Sequence, residues 1–187
     1  MSETAEEEAK RLAAARNRPL DMPAIARVLK NTVVVVRQRL MVLPEDAAAW
    51  HPASGKWCIR EVIGHLIEKD KQDFVSRIQA MLEAEDPALA VDDQDAVRRE
   101  PADCDRDVGE LLDEFDQERG RSIGFLWGLR VSDLERGGIH PKIGRISIGE
   151  LLHEWIYHDL QHVRQIDANV QSYLWGHLGN LRELYRT

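Results

Sequence analysis

Apolar side chains recur every three or four positions along most of the chain, a spacing typical of amphipathic helices. The first long segment of this kind follows Pro23, a residue suited to a first helical turn, and continues to Pro44. Its apolar positions are Ile25, Leu29, Val33, Val36, Leu40 and Leu43. No window shows the sustained alternation of apolar and polar residues that half-buried strands need. The pattern therefore predicts an all-α fold.

The same periodicity predicts three more long helices. The second spans about residues 58–84 and the third about residues 108–126. The fourth begins at a capping box formed by Ser147 and Glu150. Four such helices predict a four-helix bundle, in which long connections permit a non-sequential topology. A short fifth helix, over about residues 172–184, is expected to pack on the end of the bundle or on a second subunit.

Three connections separate the predicted helices. Residues 44–57 contain two prolines, a glycine and two tryptophans, so we expect an ordered loop that Trp50 and Trp57 anchor in the core. Residues 86–103 are rich in proline and acidic side chains, which predicts an exposed connection. Residues 128–145 are expected to form a second long loop.

Length and composition indicate a single globular domain. The chain has 187 residues, and residues 1–20 offer little apolar surface. We therefore predict an N-terminal arm over 1–20 and a helical bundle over 21–187. The net charge of −8, without a basic patch, argues against a nucleic-acid partner.

The chain also lacks the sequence features of export. Its N-terminus is acidic where a signal peptide is basic, and no apolar stretch approaches the length of a membrane span. A cytoplasmic location without a membrane partner is the resulting expectation. The cysteines Cys58 and Cys104 show no C-x-x-C spacing, so the sequence supports neither a disulfide framework nor a cysteine-built zinc site. We expect two free thiols.

The most informative motif is a pair of histidines, His158 and His162, in the fourth predicted helix. Residues four apart lie on one helical face with Cβ atoms about 5–6 Å apart, so two imidazoles can reach one metal ion. Both lie on the flank of the apolar face centred near Trp155 and Ile166. The alternative is a pair of semi-buried histidines whose nitrogens are satisfied by hydrogen bonds.

A third histidine, His65, lies beside the apolar stripe of the second predicted helix. Three imidazoles from two bundle helices supply the ligand set of an open metal site, with positions left for water or substrate. Glu61 and Glu154 each lie one turn before one of these histidines. Each carboxylate either orients a ligand imidazole or belongs to the solvated face of its helix.

Arg119 breaks the apolar stripe of the third predicted helix. A charge at such a position is costly unless it is paired. One interpretation is an ion pair inside the bundle, or a side chain that reaches out to solvent. The other is an anion clamp that holds a substrate carboxylate or a thiol cofactor near the metal.

Two segments of the sequence resemble the DinB-like superfamily, which includes mycothiol-dependent enzymes and bacillithiol transferases. The first is residues 55–66, GKWCIREVIGHL, and the second is residues 146–152, ISIGELL, leading into the His158-x-x-x-His162 motif. The resemblance covers about residues 21–170 and implies a bundle that is often a homodimer. It also implies that His65, His158 and His162 bind a divalent metal ion (Zn, Ni or Fe), with water in the remaining positions.

The sequence departs from this family at Cys58, where Ser or Thr is usual at the helix start, so a weaker helix cap is expected. The segment around His140 resembles the family's segment before the last bundle helix. His140 is therefore either a residue at the mouth of the pocket or a surface histidine. Apolar residues near the C-terminus, Tyr173, Leu174, Trp175 and Leu178, add weak support for a homodimer.

The leading functional hypothesis is a metal-dependent thiol transferase acting on a small-molecule substrate. The metal would hold a low-molecular-weight thiol as its nucleophilic thiolate. Arg119 would orient an anionic group and His140 would move a proton. One alternative is hydrolysis, because an open three-histidine site also lowers the pKa of bound water. The other is a non-catalytic metal-binding or interaction protein, in which protein side chains such as Glu154 close the site.

Overall fold

A computed structural model describes residues 6, 7, 10, 19–90 and 101–185 of the chain. The predicted arm, residues 1–20, therefore lies largely outside the described residues. The α-helices are α1 (Met22–Leu40), α2 (Glu45–Ala48), α3 (Ile59–Glu68), α4 (Phe74–Glu83), α5 (Val108–Leu126) and α6 (Ile148–Trp175). A π-helix, Lys69–Asp73, joins α3 to α4 into one long element. The predicted all-α four-helix bundle is confirmed, with α1, α3–α4, α5 and α6 as its four members.

The bundle helices do not pack in the order of the chain. Helix α1 packs mainly against α5 and α6, and α3 packs against the same two helices. Helices α1 and α3 therefore lie diagonally across the bundle, although they follow each other in sequence. The long connections make this arrangement possible, as expected. None of the helices in the described part of the chain is both long and apolar enough to cross a membrane.

Side-chain caps fix where the bundle helices start. Asp21 Oδ1 accepts a hydrogen bond from the Ala24 amide at 2.8 Å, and Asp107 Oδ1 accepts one from the Glu110 amide at 2.9 Å. The predicted capping box at Ser147 is present at the start of α6. At the start of α3, where Cys58 replaces the usual hydroxyl residue, the Cys58 amide donates to Glu61 Oε2 at 2.6 Å. A carboxylate thus supports this helix start.

The prediction of a long loop over residues 128–145 is wrong. This segment contains a short 3₁₀-helix, Val131–Glu135, and it opens a hairpin whose strands are β1 (Gly137–His140) and β2 (Gly144–Ser147). The strands pair antiparallel, with Gly137 opposite Ser147. Each strand has four residues, too few for an alternating pattern to be recognised in the sequence.

The connection over residues 86–103 is not simply exposed. Leu89 is buried, and its amide donates to the Ile139 carbonyl at 2.9 Å, while the Ile139 amide donates to the Pro87 carbonyl at 2.7 Å. A Cβ atom on Gly138 would lie 2.7 Å from a Leu89 methyl carbon, so only glycine lets the two segments approach this closely. Residues 91–100 lie outside the described residues, and Pro101–Asp105 is a 3₁₀-helix.

Two other local predictions are also corrected. Trp50 does not anchor its loop in the core, because it is 44% exposed, whereas Trp57 is partly buried against the core. The fifth helix, predicted over about residues 172–184, is not a separate α-helix. Helix α6 continues to Trp175, and a 3₁₀-helix, Gly179–Tyr185, follows it.

The core consists of two apolar clusters with a charged layer between them. One cluster is built around Phe74 and Trp155, and the other around Ile63 and Phe115. The Arg119 guanidinium carbon lies 5.0 Å from the centre of the Phe115 ring and 5.6 Å from that of the Trp155 ring. The guanidinium therefore lies between the two clusters.

Candidate metal centre

His65, His158 and His162 meet inside the bundle. His65 lies in the last turn of α3, and His158 and His162 lie one turn apart in the middle of α6. Each residue offers a ring nitrogen, and the three nitrogens lie within 4.8 Å of one another. The Nε2 atoms of His65 and His158 are 3.1 Å apart. The three half-buried imidazoles thus converge on one point, as the sequence predicts.

Hydrogen bonds in the cluster leave lone pairs directed inward. His162 Nδ1 donates to Gln165 Oε1 at 2.9 Å, because an amide oxygen can only accept. The proton of neutral His162 is therefore on Nδ1, and its Nε2 carries a lone pair. The Nδ1 atom of His158 is buried and has no hydrogen-bond partner among the described residues. The Nε2 atom of His158 faces that of His65, so a metal ion between the rings would be bound through these nitrogens.

The electrostatic environment keeps the imidazoles of His158 and His162 neutral. Burial, the largest cause, and the nearby charges of His162, His65, Lys69 and Arg119 together lower the pKa of His158 to about 2. Burial also lowers the pKa of His162 from its ordinary value. Neutral imidazole is the form that binds metals, so the cluster needs to lose no proton from these side chains near neutral pH.

Aromatic side chains enclose the three histidines. The Trp57 ring centre lies 5.0 Å from that of His65 and 6.3 Å from that of His162. Phe74 contacts the His158 ring at 5.6 Å, edge to face, and stacks on Trp155 at 4.5 Å. These rings restrict the orientation of the imidazoles and limit the access of water.

The predicted carboxylate neighbours do not complete the cluster. Among the described residues, no carboxylate oxygen lies within 4.8 Å of all three nitrogens. Glu61 instead caps the start of α3, and Glu154 is exposed. The cluster therefore offers three neutral donors and no protein anion.

Arg119 lies on the buried face of α5, as predicted from the apolar stripe, and it is 0% exposed. Its Nε and Nη2 donate to the two oxygens of Asp70 at 2.7 and 3.1 Å. Its Nη1 and Nη2 donate to the two oxygens of Asp159 at 2.5 and 3.1 Å. Nη1 also donates to the Leu29 carbonyl at 2.8 Å.

These contacts use all five N–H groups of the guanidinium. Of the two interpretations of Arg119, the internal ion pair matches this geometry. No donor remains for a substrate anion, so the role of anion clamp is not supported. Burial raises the pKa of Asp70 to about 6 against the opposing effect of Arg119, which is expected when one cation faces two buried carboxylates.

Sequence reasoning missed the two aspartates that pair with Arg119. Asp159 directly follows His158, and its position among the buried residues of α6 was the available signal. Asp70 lies four residues after Leu66 and seven after Ile63, so a regular helix already places it on the buried face of α3, and that position was the available signal.

His140 lies at the end of β1. Its half-buried ring accepts a hydrogen bond at Nδ1 from the Lys142 amide at 3.2 Å, within the hairpin turn. Helix α6 starts ten residues before His158, which corresponds to about 15 Å along the helix axis. The described contact of His140 is therefore local to the hairpin, and its role in proton transfer stays a prediction.

A second cluster of potential ligands was not predicted. Cys58 and Cys104 are far apart in sequence, but their Sγ atoms are 2.6 Å apart. His51 and Glu61 join them, and the ligand atoms of all four residues lie within 4.8 Å of one another. The statement that the sequence supports no cysteine-built site is therefore corrected. Spacing along the chain carries no information about a pair that tertiary folding brings together.

The fold and the histidine cluster define a class of protein: four-helix bundles with a candidate metal site between their helices. The family model of the DinB superfamily matches residues 29–166. The chain therefore belongs to the DinB superfamily, which confirms the resemblance noted from its motifs.

Relatives and a solved structure agree with this placement. A protein of Oceanobacillus iheyensis named "Putative metal-dependent hydrolase" is 26% identical over 155 residues, which cover 83% of each chain. A Bacillus cereus protein of the same name is 22% identical over 121 residues, covering 65% of this chain and 69% of the relative.

The fold is similar to that of YfiT from Bacillus subtilis, described as "a probable metal-dependent hydrolase with an unusual four-helix bundle topology". The TM-score is 0.70 at 20% identity, over 93% of this chain and 91% of YfiT. At this identity the similarity concerns the fold alone.

Proposed function

We propose that this protein is a metal-dependent hydrolase that binds a divalent ion through His65, His158 and His162. The observation that carries the proposal is the convergence of three imidazoles with no carboxylate among them in the described part of the chain. Three neutral ligands leave the positive charge of a divalent ion uncompensated. A site of this kind favours an exogenous anion or an ionised water in its open positions.

A bound divalent ion would supply Lewis acidity and lower the pKa of water toward neutrality. The chain's own residues prepare the site for that chemistry. Gln165 holds the His162 proton on Nδ1, and the rings of Trp57 and Phe74 limit the motion of the imidazoles. The names of the Oceanobacillus and Bacillus relatives support hydrolysis as the reaction class.

Thiol S-transfer, the leading hypothesis from the sequence, is the second candidate. The same absence of a protein anion that suits ionised water also suits a thiolate, which is a soft and strongly binding anion. In this reaction the metal site would hold the thiol, and the electrophile would occupy the space beside it. The two reactions differ in one measurable way, because only the second consumes a thiol.

Purified protein loaded separately with Zn, Ni or Fe distinguishes these candidates. We expect hydrolysis of members of an ester and amide panel without added thiol, and we expect none from the His158→Ala/His162→Ala variant. Consumption of a low-molecular-weight thiol together with an electrophile would instead establish S-transfer. Inactivity of every metal form in both assays would contradict both reactions and favour a binding protein.

We further propose a homodimer, as the family resemblance implies. The last turn of α6 exposes Leu174 and Trp175, which are 46% and 40% accessible. Light scattering is the test, and a mass near the 21.4 kDa of one chain at high micromolar concentration would contradict the proposal.

A further inference from the structure

We propose that His51, Cys58, Glu61 and Cys104 form a second metal site, which binds zinc and is separate from the three-histidine cluster. Two cysteines, a histidine and a carboxylate are ligands that zinc commonly takes in structural sites. All four ligand atoms already lie within 4.8 Å of one another. The site would join three segments: the loop before α3, the first turn of α3 and the 3₁₀-helix Pro101–Asp105.

His51 is oriented as a metal ligand. Its Nδ1 lies 2.8 Å from the Lys56 carbonyl oxygen, so Nδ1 carries the proton and donates. The Nε2 lone pair then faces Cys104 Sγ at 3.4 Å. A ligating histidine usually donates its other ring N–H to a backbone carbonyl or a carboxylate, which fixes its tautomer. Lys56 supplies such a carbonyl here.

The carboxylate of Glu61 is also held in place. Glu61 Oε2 accepts the Cys58 amide at 2.6 Å and lies 3.6 Å from His51 Nδ1. The Glu61 side chain is largely buried, and its hydrogen bond is part of the cap of α3. The carboxylate therefore stays next to the two sulfurs without a metal, and one of its oxygens is available to an ion.

Packing brings Cys104 to the same place. The 3₁₀-helix presses so closely on α3 that a Cβ atom on Gly64 would lie 1.9 Å from Asp103 Oδ2. Arg60 Nη1 also donates to the Cys104 carbonyl at 3.0 Å. These contacts hold the backbone of Cys104 against the first turns of α3, where Cys58 is fully buried.

The arrangement favours a metal over a disulfide as the partner of the two thiols. A disulfide would use only the sulfurs, whereas a metal ion would also use the His51 Nε2 lone pair that faces Cys104 Sγ. Tetrahedral zinc would hold two sulfurs about 3.8 Å apart, so the 2.6 Å pair would separate by side-chain rotation when the ion enters. The exposed side of His51 gives the ion a path from solvent.

Metal binding at this site has a defined proton balance. Burial raises the pKa of the Cys58 thiol, so Cys58 is protonated near neutral pH in the metal-free protein. Zinc binds thiolates, and both thiol protons would be released to solvent, while His51 Nε2 loses none. No oxidant is required, and the sulfurs keep their oxidation state.

The test compares zinc content and thiol state in four purified proteins without affinity tags. We expect the wild type to carry about one zinc more than Cys58→Ser and Cys104→Ser. Cys58→Ser is the better probe, because serine is a good helix cap and should keep α3 intact. His177→Gln, an exposed histidine in neither cluster, is the matched control and should keep the wild-type content.

A second measurement separates this site from the histidine cluster. In the His65→Ala/His158→Ala/His162→Ala background, about one zinc should remain, and cobalt in its place should show thiolate-to-metal charge-transfer absorption. That absorption should disappear when Cys58→Ser is added. Equal zinc content in the wild type and both cysteine variants would overturn the proposal. An intact mass about 2 Da low without zinc, which indicates a Cys58–Cys104 disulfide, would overturn it as well.

Discussion

Two polar sites lie side by side inside the bundle, and they differ in how their hydrogen-bonding groups are satisfied. Asp159 belongs to one site and His158 to the other, although they are adjacent in α6. At the first site, every N–H group of Arg119 has an acceptor within the protein. At the second, ring nitrogens of three histidines face one another, and His158 Nδ1 has no partner among the described residues.

This difference separates a structural role from a functional one. A buried polar group without a partner costs free energy, so a satisfied network needs nothing further, whereas a cluster of inward lone pairs is completed by a ligand. Removing the first network should therefore change stability, and removing the second should change metal binding.

The largest effect is expected at the histidine cluster. In His158→Ala/His162→Ala, one of three ligands remains, so metal affinity should fall by more than about 100-fold, beyond the loss typical of supporting residues alone. Metal content after dialysis against buffered zinc measures this. His177→Ala is the control and should bind as the wild type does. Full retention of metal in the double variant would show that the cluster is not the site.

The next effect concerns stability and Arg119. Arg119→Leu leaves Asp70 and Asp159 buried without their cation, and breaking a buried pair typically costs about 3–5 kcal/mol. Urea unfolding of the metal-free protein measures the loss. Metal affinity should change little, because Arg119 contacts none of the three imidazoles through its hydrogen bonds.

A matched surface pair calibrates that experiment. Arg37 Nη2 bonds Asp113 Oδ1 at 2.7 Å, but the Asp113 side chain is 76% exposed. Arg37→Leu should therefore cost less than about 1 kcal/mol. An Arg119→Leu protein as stable as this control would contradict the structural role, and it would also indicate that Arg119 reaches solvent.

The two sites also differ in how much the sequence reveals. His65, His158 and His162 lie on regular helical turns, so spacing and the apolar stripe suffice to predict that they converge. The buried position of Arg119 is predicted from the same phase argument. Its partner Asp70 also lies on an apolar stripe, four residues after Leu66, but the stripe does not indicate which side chain of another helix it faces.

Contacts between residues that are far apart in the sequence are the second reason why part of the structure could not be predicted. The four bundle helices and the caps at Ser147 and Glu150 follow from local patterns. The β-hairpin was missed because its strands are short and glycine-rich, and its packing depends on Leu89, about 50 residues earlier in the chain. The meeting of Cys58 and Cys104 depends likewise on tertiary packing at Gly64, which spacing does not encode.

Lowering the pH should change the contributions of His158 and Asp70 to the free energy of unfolding in opposite directions. The pKa of His158 falls from 6.5 to about 2 on folding, so below pH 6.5 the unfolded chain binds a proton that the folded chain does not. Stability is therefore lost as the pH falls. Between pH 6.5 and 5 the loss amounts to at most about 2 kcal/mol, because binding one extra proton in the unfolded chain lowers the free energy of unfolding by about 1.36 kcal/mol per pH unit.

Asp70 has the opposite sign, because its pKa rises from 3.8 to about 6 on folding. The folded chain then holds the proton more strongly, and this contribution to stability grows as the pH falls through 6. Urea unfolding of the metal-free protein at pH 7 and pH 5 tests both effects. His158→Gln should lose less stability on acidification than the wild type, and Asp70→Asn should lose more. The reverse order would contradict the assignment.

The smallest effect is expected at Gln165, which accepts a hydrogen bond from His162 in the histidine cluster. Gln165 Oε1 accepts the His162 Nδ1 proton at 2.9 Å, and this bond directs the Nε2 lone pair inward. Gln165→Leu removes the acceptor and should weaken metal affinity about tenfold, the lower end for a residue that supports a ligand histidine. Gln161→Leu, an exposed position in the preceding turn, should have no effect.

Gln165→Glu should bind metal at least as tightly as the wild type, because a carboxylate makes the imidazole a stronger donor. Metal affinities that decrease from Gln165→Glu through the wild type to Gln165→Leu would establish that Gln165 acts through His162. Equal affinities in the three proteins would show that the tautomer of His162 is set without Gln165.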